Sequence, residues 1–164
     1  MALPVHRSHV VNTSSDSDPL RGKRVLVVND TQEILELFDD ILSEMGLEVV
    51  QMTYAPRELD RVREARPDLV ILDLVFGERE LLGWQLLQKI RMDRSLETLP
   101  VVVCSAALNT INELQGYLTE QKVTVVVKPF NVAQLEDAVF RALGVSGHMD
   151  APTARELSGA RSST

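Results

Sequence analysis

Four short stretches of this chain are almost continuously apolar and rich in β-branched residues: Arg24–Asn29 (RVLVVN), Leu69–Leu74 (LVILDL), Pro100–Ser105 (PVVVCS) and Val123–Lys128 (VTVVVK). They lack the polar/apolar alternation of a half-exposed strand. That is how strands covered on both faces of a parallel sheet read. Leu47–Thr53 (LEVVQMT) is a fifth strand candidate, more polar and so placed nearer an edge.

Helical periodicity fills the intervals. Ile34, Leu35, Phe38, Ile41, Leu42 and Met45 recur at three- and four-residue spacing, with Gly46 as the stop. Pro56 suits a first helical turn, with Leu59, Val62 and Ala65 on one face and Pro67 ending it. Trp84, Leu87, Ile90 and Arg91 mark a third helix, in which Trp84 either packs inward or shows partly at the surface. Residues 108–120 form a weaker fourth, carrying Leu108, Ile111, Leu114 and Leu118. The fifth runs from Asn131 to Leu143, opened by a cap of Asn131 with Gln134 and closed by Gly144.

Five βα units in succession predict an α/β fold. Right-handed crossovers put helices on both faces of a five-stranded parallel sheet, giving a doubly wound, flavodoxin-like sandwich with strand order 2-1-3-4-5. A (β/α) barrel would need about eight such units. Asn-Thr-Ser-Ser-Asp-Ser-Asp-Pro at 12–19 has no periodicity, and neither does the stretch from Ser146 to Thr164. The expected organisation is a disordered tail over 1–22, one domain over 23–145 and a flexible tail over 146–164.

Composition narrows the function classes. The net charge is −7, and both tails are neutral, so the whole excess sits on the domain. An acidic domain without a basic stripe is a poor match for nucleic acid phosphates, so no nucleic acid partner is expected. The longest apolar runs are too short for membrane insertion, and the first ten residues hold no signal-peptide core. Cys104 is the only cysteine. No internal disulfide can form, and a reducing, cytoplasmic location follows as the expectation. Cys104 itself reads as a small buried hydrophobe. His6, His9 and His148 all lie in the tails and receive no role.

In a sheet of this kind, chemistry gathers at the carboxyl ends of the strands. Strand one ends in Asn29–Asp30, strand three delivers Asp73, strand four ends in Ser105, and strand five in Lys128–Pro129–Phe130. Two carboxylates with backbone carbonyls and waters suit Mg²⁺, a hard cation that favours oxygen ligands. A hydroxyl and an ammonium beside them suit a phosphoryl group. Each residue also has an ordinary reading, as a helix cap, a loop hydroxyl or an exit turn. Asp73 stands apart, because an acid between Leu69–Leu72 and Leu74–Val75 is rarely buried without a partner. Taking its charge off an acidic rim is expected to hold or raise stability.

Together, VLVVND, LVILDL with Asp73, VVVCSA with Ser105 and VVVKPF with Lys128 resemble the receiver domain of two-component response regulators, the CheY-like family, over about residues 23–145. The resemblance implies that Asp73 is the phosphoacceptor, Asp30 a metal ligand, Ser105 the switch hydroxyl and Lys128 the phosphate-pairing lysine. It implies Mg²⁺ as cofactor, with the Val75 backbone carbonyl as a further ligand, and a cis Lys128–Pro129 peptide. Partners would be a histidine kinase or phosphotransfer protein and a downstream protein met on the helix 4, strand 5 and helix 5 face. The chain would act as a monomer or a phosphorylation-dependent homodimer, with no enzymatic role beyond its own phosphotransfer and dephosphorylation. The 19 residues after Val145 are too few and too polar for a DNA-binding unit.

Four positions depart from that pattern. Asn29 stands where a second acid is usual; its amide oxygen can hold a metal-bound water but adds no charge. The loop after Asp73 lacks the family's proline and brings Gly83 about two residues late. Val125 replaces an aromatic residue on strand five. Val75 and Ala107 occupy positions that govern water access to the phosphoryl group. These departures leave a second reading open, a receiver-like interaction module that works without phosphate. A phosphohydrolase would want an acid where Val75 stands, and a nucleotide-binding fold would want glycines where Thr31–Gln32–Glu33 stands.

Overall fold

The structure is a computed structural model in which residues 18–145 are described. Five parallel strands, β1 (Arg24–Val28), β2 (Glu48–Met52), β3 (Leu69–Leu72), β4 (Val101–Ser105) and β5 (Thr124–Val127), form one sheet in the order β2-β1-β3-β4-β5. The helices are α1 (Gln32–Glu44), α2 (Asp60–Ala65), α3 (Leu82–Met92), α4 (Leu108–Glu120) and α5 (Val132–Leu143). This is the architecture that the sequence pattern predicts.

Burial on both faces explains the unbroken apolar runs. Val25 and Val27 of β1 face α1 and α5 with Ile71, Val102 and Val126. Leu26 and Val28 face the other way, into a core built with Val62, Leu86, Leu87, Ile90 and Ile111 from α2, α3 and α4. Central β3 and β4 are wholly buried, whereas edge strand β2 has Glu48 and Gln51 exposed. Cys104 lies inside, where burial pushes its thiol up to about 12, so it behaves as an apolar group.

Two helix ends form as expected. Asn131 and Gln134 close a reciprocal capping box, Gln134 N–H donating to the Asn131 side chain and Asn131 N–H to Gln134 Oε1, both at 2.9 Å. Gly144 ends α5 in the left-handed region at φ 65°.

One expectation needs correction. Pro56 does not start a helix: α2 begins at Asp60 and has only 6 residues. Pro56 is itself buried, and the Lys89 ammonium of α3 takes the Arg57 carbonyl at 2.8 Å, which draws this segment into turns against α3. Residues just before Lys23 also pack on the domain. Leu20 is 2% exposed and joins the α1/α5 core, while Gly22 N–H donates to the Gly46 carbonyl. Burying such a leucine contributes roughly 1.5–3 kcal/mol toward holding this segment on the domain. Residues 1–17 of the expected tail over 1–22, and all of the expected tail over 146–164, lie outside the described residues.

Candidate functional site

Sheet register sets the site. Leu72 lies level with Val28 on one side and Val103 on the other, so Asp73 emerges between strands one and four. Asp73 N–H still reaches the Val28 carbonyl at 3.3 Å, and Lys128 N–H the Ser105 carbonyl at 3.0 Å. Each side chain is thus held by the last backbone bonds of the sheet.

Asp73 is the hub. Its Oδ2 accepts from Lys128 Nζ at 2.8 Å, and its Oδ1 accepts from Ser105 Oγ at 2.7 Å and from Val75 N–H at 3.1 Å. Ser105 is 1% exposed, and its oxygen accepts from Ala107 N–H at 3.3 Å, so the hydroxyl proton points to the carboxylate. The side chains of Lys128 and Asp73 keep 18% and 14% of their surface, so the pair is sheltered yet reachable. The Lys128–Pro129 peptide is cis.

Asp30 occupies the same rim but does not touch Asp73 in any hydrogen bond. Its Oδ2 accepts from Gly77 N–H at 2.6 Å, and its Oδ1 meets the Thr31 hydroxyl at a long 3.4 Å. Asn29 is 2% exposed, and its amide oxygen accepts from Thr31 N–H at 2.9 Å in a local turn. That leaves one lone pair of the oxygen for anything else.

The longer loop after β3 is absorbed outward. Phe76 and Glu80 exchange both backbone bonds, at 2.7 and 3.0 Å, closing a tiny hairpin with Gly77 at φ 58°. Gly83 therefore still arrives against β3, although it comes late in sequence. A Cβ there would lie 1.6 Å from the Asp73 carbonyl oxygen, so only glycine lets α3 begin this close. The contacts of Gly77 and Gly83 were not anticipated from sequence. Gly77 stands in the loop and Gly83 in the first turn of α3, but their partners are fixed only by the folded chain.

Among the described residues no group of three or more His, Cys, Asp or Glu side chains could hold a metal ion. A cation here would rest on two carboxylates, carbonyl oxygens and water. No described helix is long and apolar enough to cross a membrane.

A family model described as the response regulator receiver domain matches residues 25–140. The chain belongs to the receiver-domain family. Within it, the domain is 31% identical over 113 residues to the DNA-binding response regulator MtrA of Mycolicibacterium smegmatis, covering 69% of this chain and 47% of that protein. It is 30% identical over 84 residues to the polar-differentiation response regulator DivK of Brucella anthropi, covering 51% of this chain and 67% of DivK. The chain thus spans about half the length of MtrA relatives. Among solved structures, the response regulator TrrA of Thermotoga maritima, in complex with Mg(2+)-BeF, superposes with a TM-score of 0.62 at 27% identity, covering 73% of this chain and 98% of TrrA. The receiver fold and membership of the response regulator receiver-domain family are therefore shown for this domain.

Proposed function

We propose that Asp73 accepts a phosphoryl group from the phosphohistidine of a histidine kinase or phosphotransfer protein, and that a downstream protein reads the resulting state. The observation that carries this is the Asp73 carboxylate held between Ser105 Oγ at 2.7 Å and Lys128 Nζ at 2.8 Å. A carboxylate oxygen of Asp73 attacks phosphorus as the P–N bond to the donor imidazole breaks, and the imidazole nitrogen then takes a proton from water. In the acyl phosphate the Lys128 ammonium pairs with a phosphoryl oxygen. The Ser105 hydroxyl, released from Asp73, donates to another. That change of partner gives the β4–α4 junction two arrangements, as a switch needs.

The donor set fits Mg²⁺. Asp30 and Asp73 stand on one rim and bring only oxygen, the donor type Mg²⁺ favours; the Val75 carbonyl and waters would complete its shell. Bound there, the ion would neutralise charge on the transferring group. Intact mass after incubation with acetyl phosphate and Mg²⁺ tests the proposal. A gain of one phosphoryl group supports it; an unchanged mass, with Mg²⁺ shown to be bound, contradicts it.

Two further results are expected of this site. Asn29→Asp tightens Mg²⁺ binding, about tenfold, because a carboxylate beside a divalent ion adds Coulomb attraction while keeping the bond from Thr31 N–H. Titration of Mg²⁺ followed by amide shifts checks this, and an equal affinity would remove Asn29 from the ion's surroundings.

The phosphorylated state should also be long-lived. Hydrolysis needs a water in line with phosphorus, and positioning contributes several kcal/mol to such steps. Val75 and Ala107 hold Asp73 and Ser105 through their backbone N–H groups and offer no polar side chain to a water. Replacing Val75 by Asn and Ala107 by Glu is expected to speed loss of phosphate roughly tenfold or more. Equal decay rates in the two proteins at saturating Mg²⁺ would refute the argument.

A further inference from the structure

We infer that the Phe76–Glu80 hairpin is a clasp that competes with a divalent cation for Asp30. This rests on the reading of Asp30 as a cation ligand. Gly77 N–H sits 2.6 Å from Asp30 Oδ2, the shortest backbone contact to a carboxylate at this rim, and among the described residues the one other donor to Asp30 is the Thr31 hydroxyl at 3.4 Å. An amide hydrogen and a cation both carry positive charge and both draw on the same carboxylate. Each therefore weakens the other's hold. Asp30 is exposed and needs no amide to stay oriented, unlike a buried ligand whose direction must be fixed by a neighbour.

The hairpin is built to move as a unit. Phe76 is 4% exposed and packs into the α3 side of the core, and Gly83 is wedged against the Asp73 backbone. Residues 77–81 between these two anchors are all exposed. Opening the clasp costs the Asp30 bond and the Phe76–Glu80 pair, while the Ser105 and Lys128 bonds to Asp73 come from other strands. Because linkage is reciprocal, an ion on Asp30 loosens the hairpin by the same factor as the hairpin weakens the ion. The exposed Glu78–Arg79–Glu80 tip thus reports the ionic state of the site at the surface.

Gly77→Ala isolates the effect. Gly77 lies at φ 58° with nothing within 4 Å of an added Cβ, so alanine strains only the clasped backbone. Mg²⁺ titrated against wild type, Gly77→Ala and Asp30→Asn, followed by amide shifts, should give about fivefold tighter binding in Gly77→Ala. Asp30→Asn should bind much more weakly. In wild-type protein, hydrogen exchange at the Gly77 and Glu80 amides should speed up on adding Mg²⁺. If Asp30→Asn binds as wild type does, Asp30 is no ligand and the clasp falls with that assignment. If Asp30→Asn weakens binding but Gly77→Ala leaves it equal or weaker, or if Mg²⁺ protects the Gly77 amide, the competition alone is overturned.

Discussion

Asp73→Asn should take up no phosphate from acetyl phosphate or a phosphorylated kinase domain, while remaining folded. The nucleophilic oxygen pair is gone, and no other described carboxylate is placed between a hydroxyl and an ammonium. The acidic rim taken alone argues that losing this charge relieves repulsion. Lys128 at 2.8 Å argues the other way, because its ammonium loses a sheltered counter-ion. An asparagine can answer part of that: its oxygen can accept from Lys128 while its amide donates to Ser105 Oγ. What is lost is the charge assistance, about 2 kcal/mol or less. Mass spectrometry reads the phosphate, and a urea midpoint reads the stability. Phosphate uptake at the wild-type rate would move the acceptor elsewhere. A midpoint above wild type would mean that repulsion outweighs the Lys128 pair.

Gly83→Ala should be the most damaging small substitution near the site. Its Cβ would stand 1.6 Å from the Asp73 oxygen, 2.7 Å from the carbonyl carbon and 3.0 Å from Leu74 Cα. All three are backbone atoms of the chain leaving β3, so no side chain can rotate out of the way. Either α3 retreats and uncovers Leu86 and Leu87, or Asp73 is pushed from Ser105 and Lys128. Overpacking of this kind costs about 3 kcal/mol. The urea midpoint should fall accordingly, with slower phosphate uptake in whatever remains folded. An unchanged midpoint would show that the start of α3 is free to slide.

The fold was legible in the sequence because the three inner strands, β1, β3 and β4, have only one way to be buried. Runs such as LVILDL leave no polar face for solvent, and helices must cover both sides. The meeting of Asp73, Ser105 and Lys128 on one rim was legible for a related reason: Ser105 and Lys128 stand where apolar strands stop, and Asp73 interrupts an apolar run that resumes with Leu74 and Val75.

What was not legible depends on contacts between distant segments. Pro56 is as good at a buried turn as at a helix start, and the choice was made by Lys89 reaching the Arg57 carbonyl. Leu20 looked like part of a polar tail because its neighbours are Ser, Asp and Pro. Its place in the core depends on α1 and α5 leaving an opening for it. Asp30 and Gly77 lie 47 residues apart, and their bond exists only because two extra loop residues fold outward rather than displacing Gly83.

The α3–α4 seam has an optical consequence. Trp84 is the sole tryptophan, its backbone N–H is tied to the Leu74 carbonyl one residue past Asp73, and its ring meets Tyr117 edge-on at 4.8 Å. Excitation absorbed by the Tyr117 phenol will pass to the indole at that separation, so the two rings act as one emitter. One end of this emitter is fastened beside Asp73 and the other rides on α4. A displacement of α4 from α3 therefore changes what the indole packs against, and its emission senses that seam with no added dye.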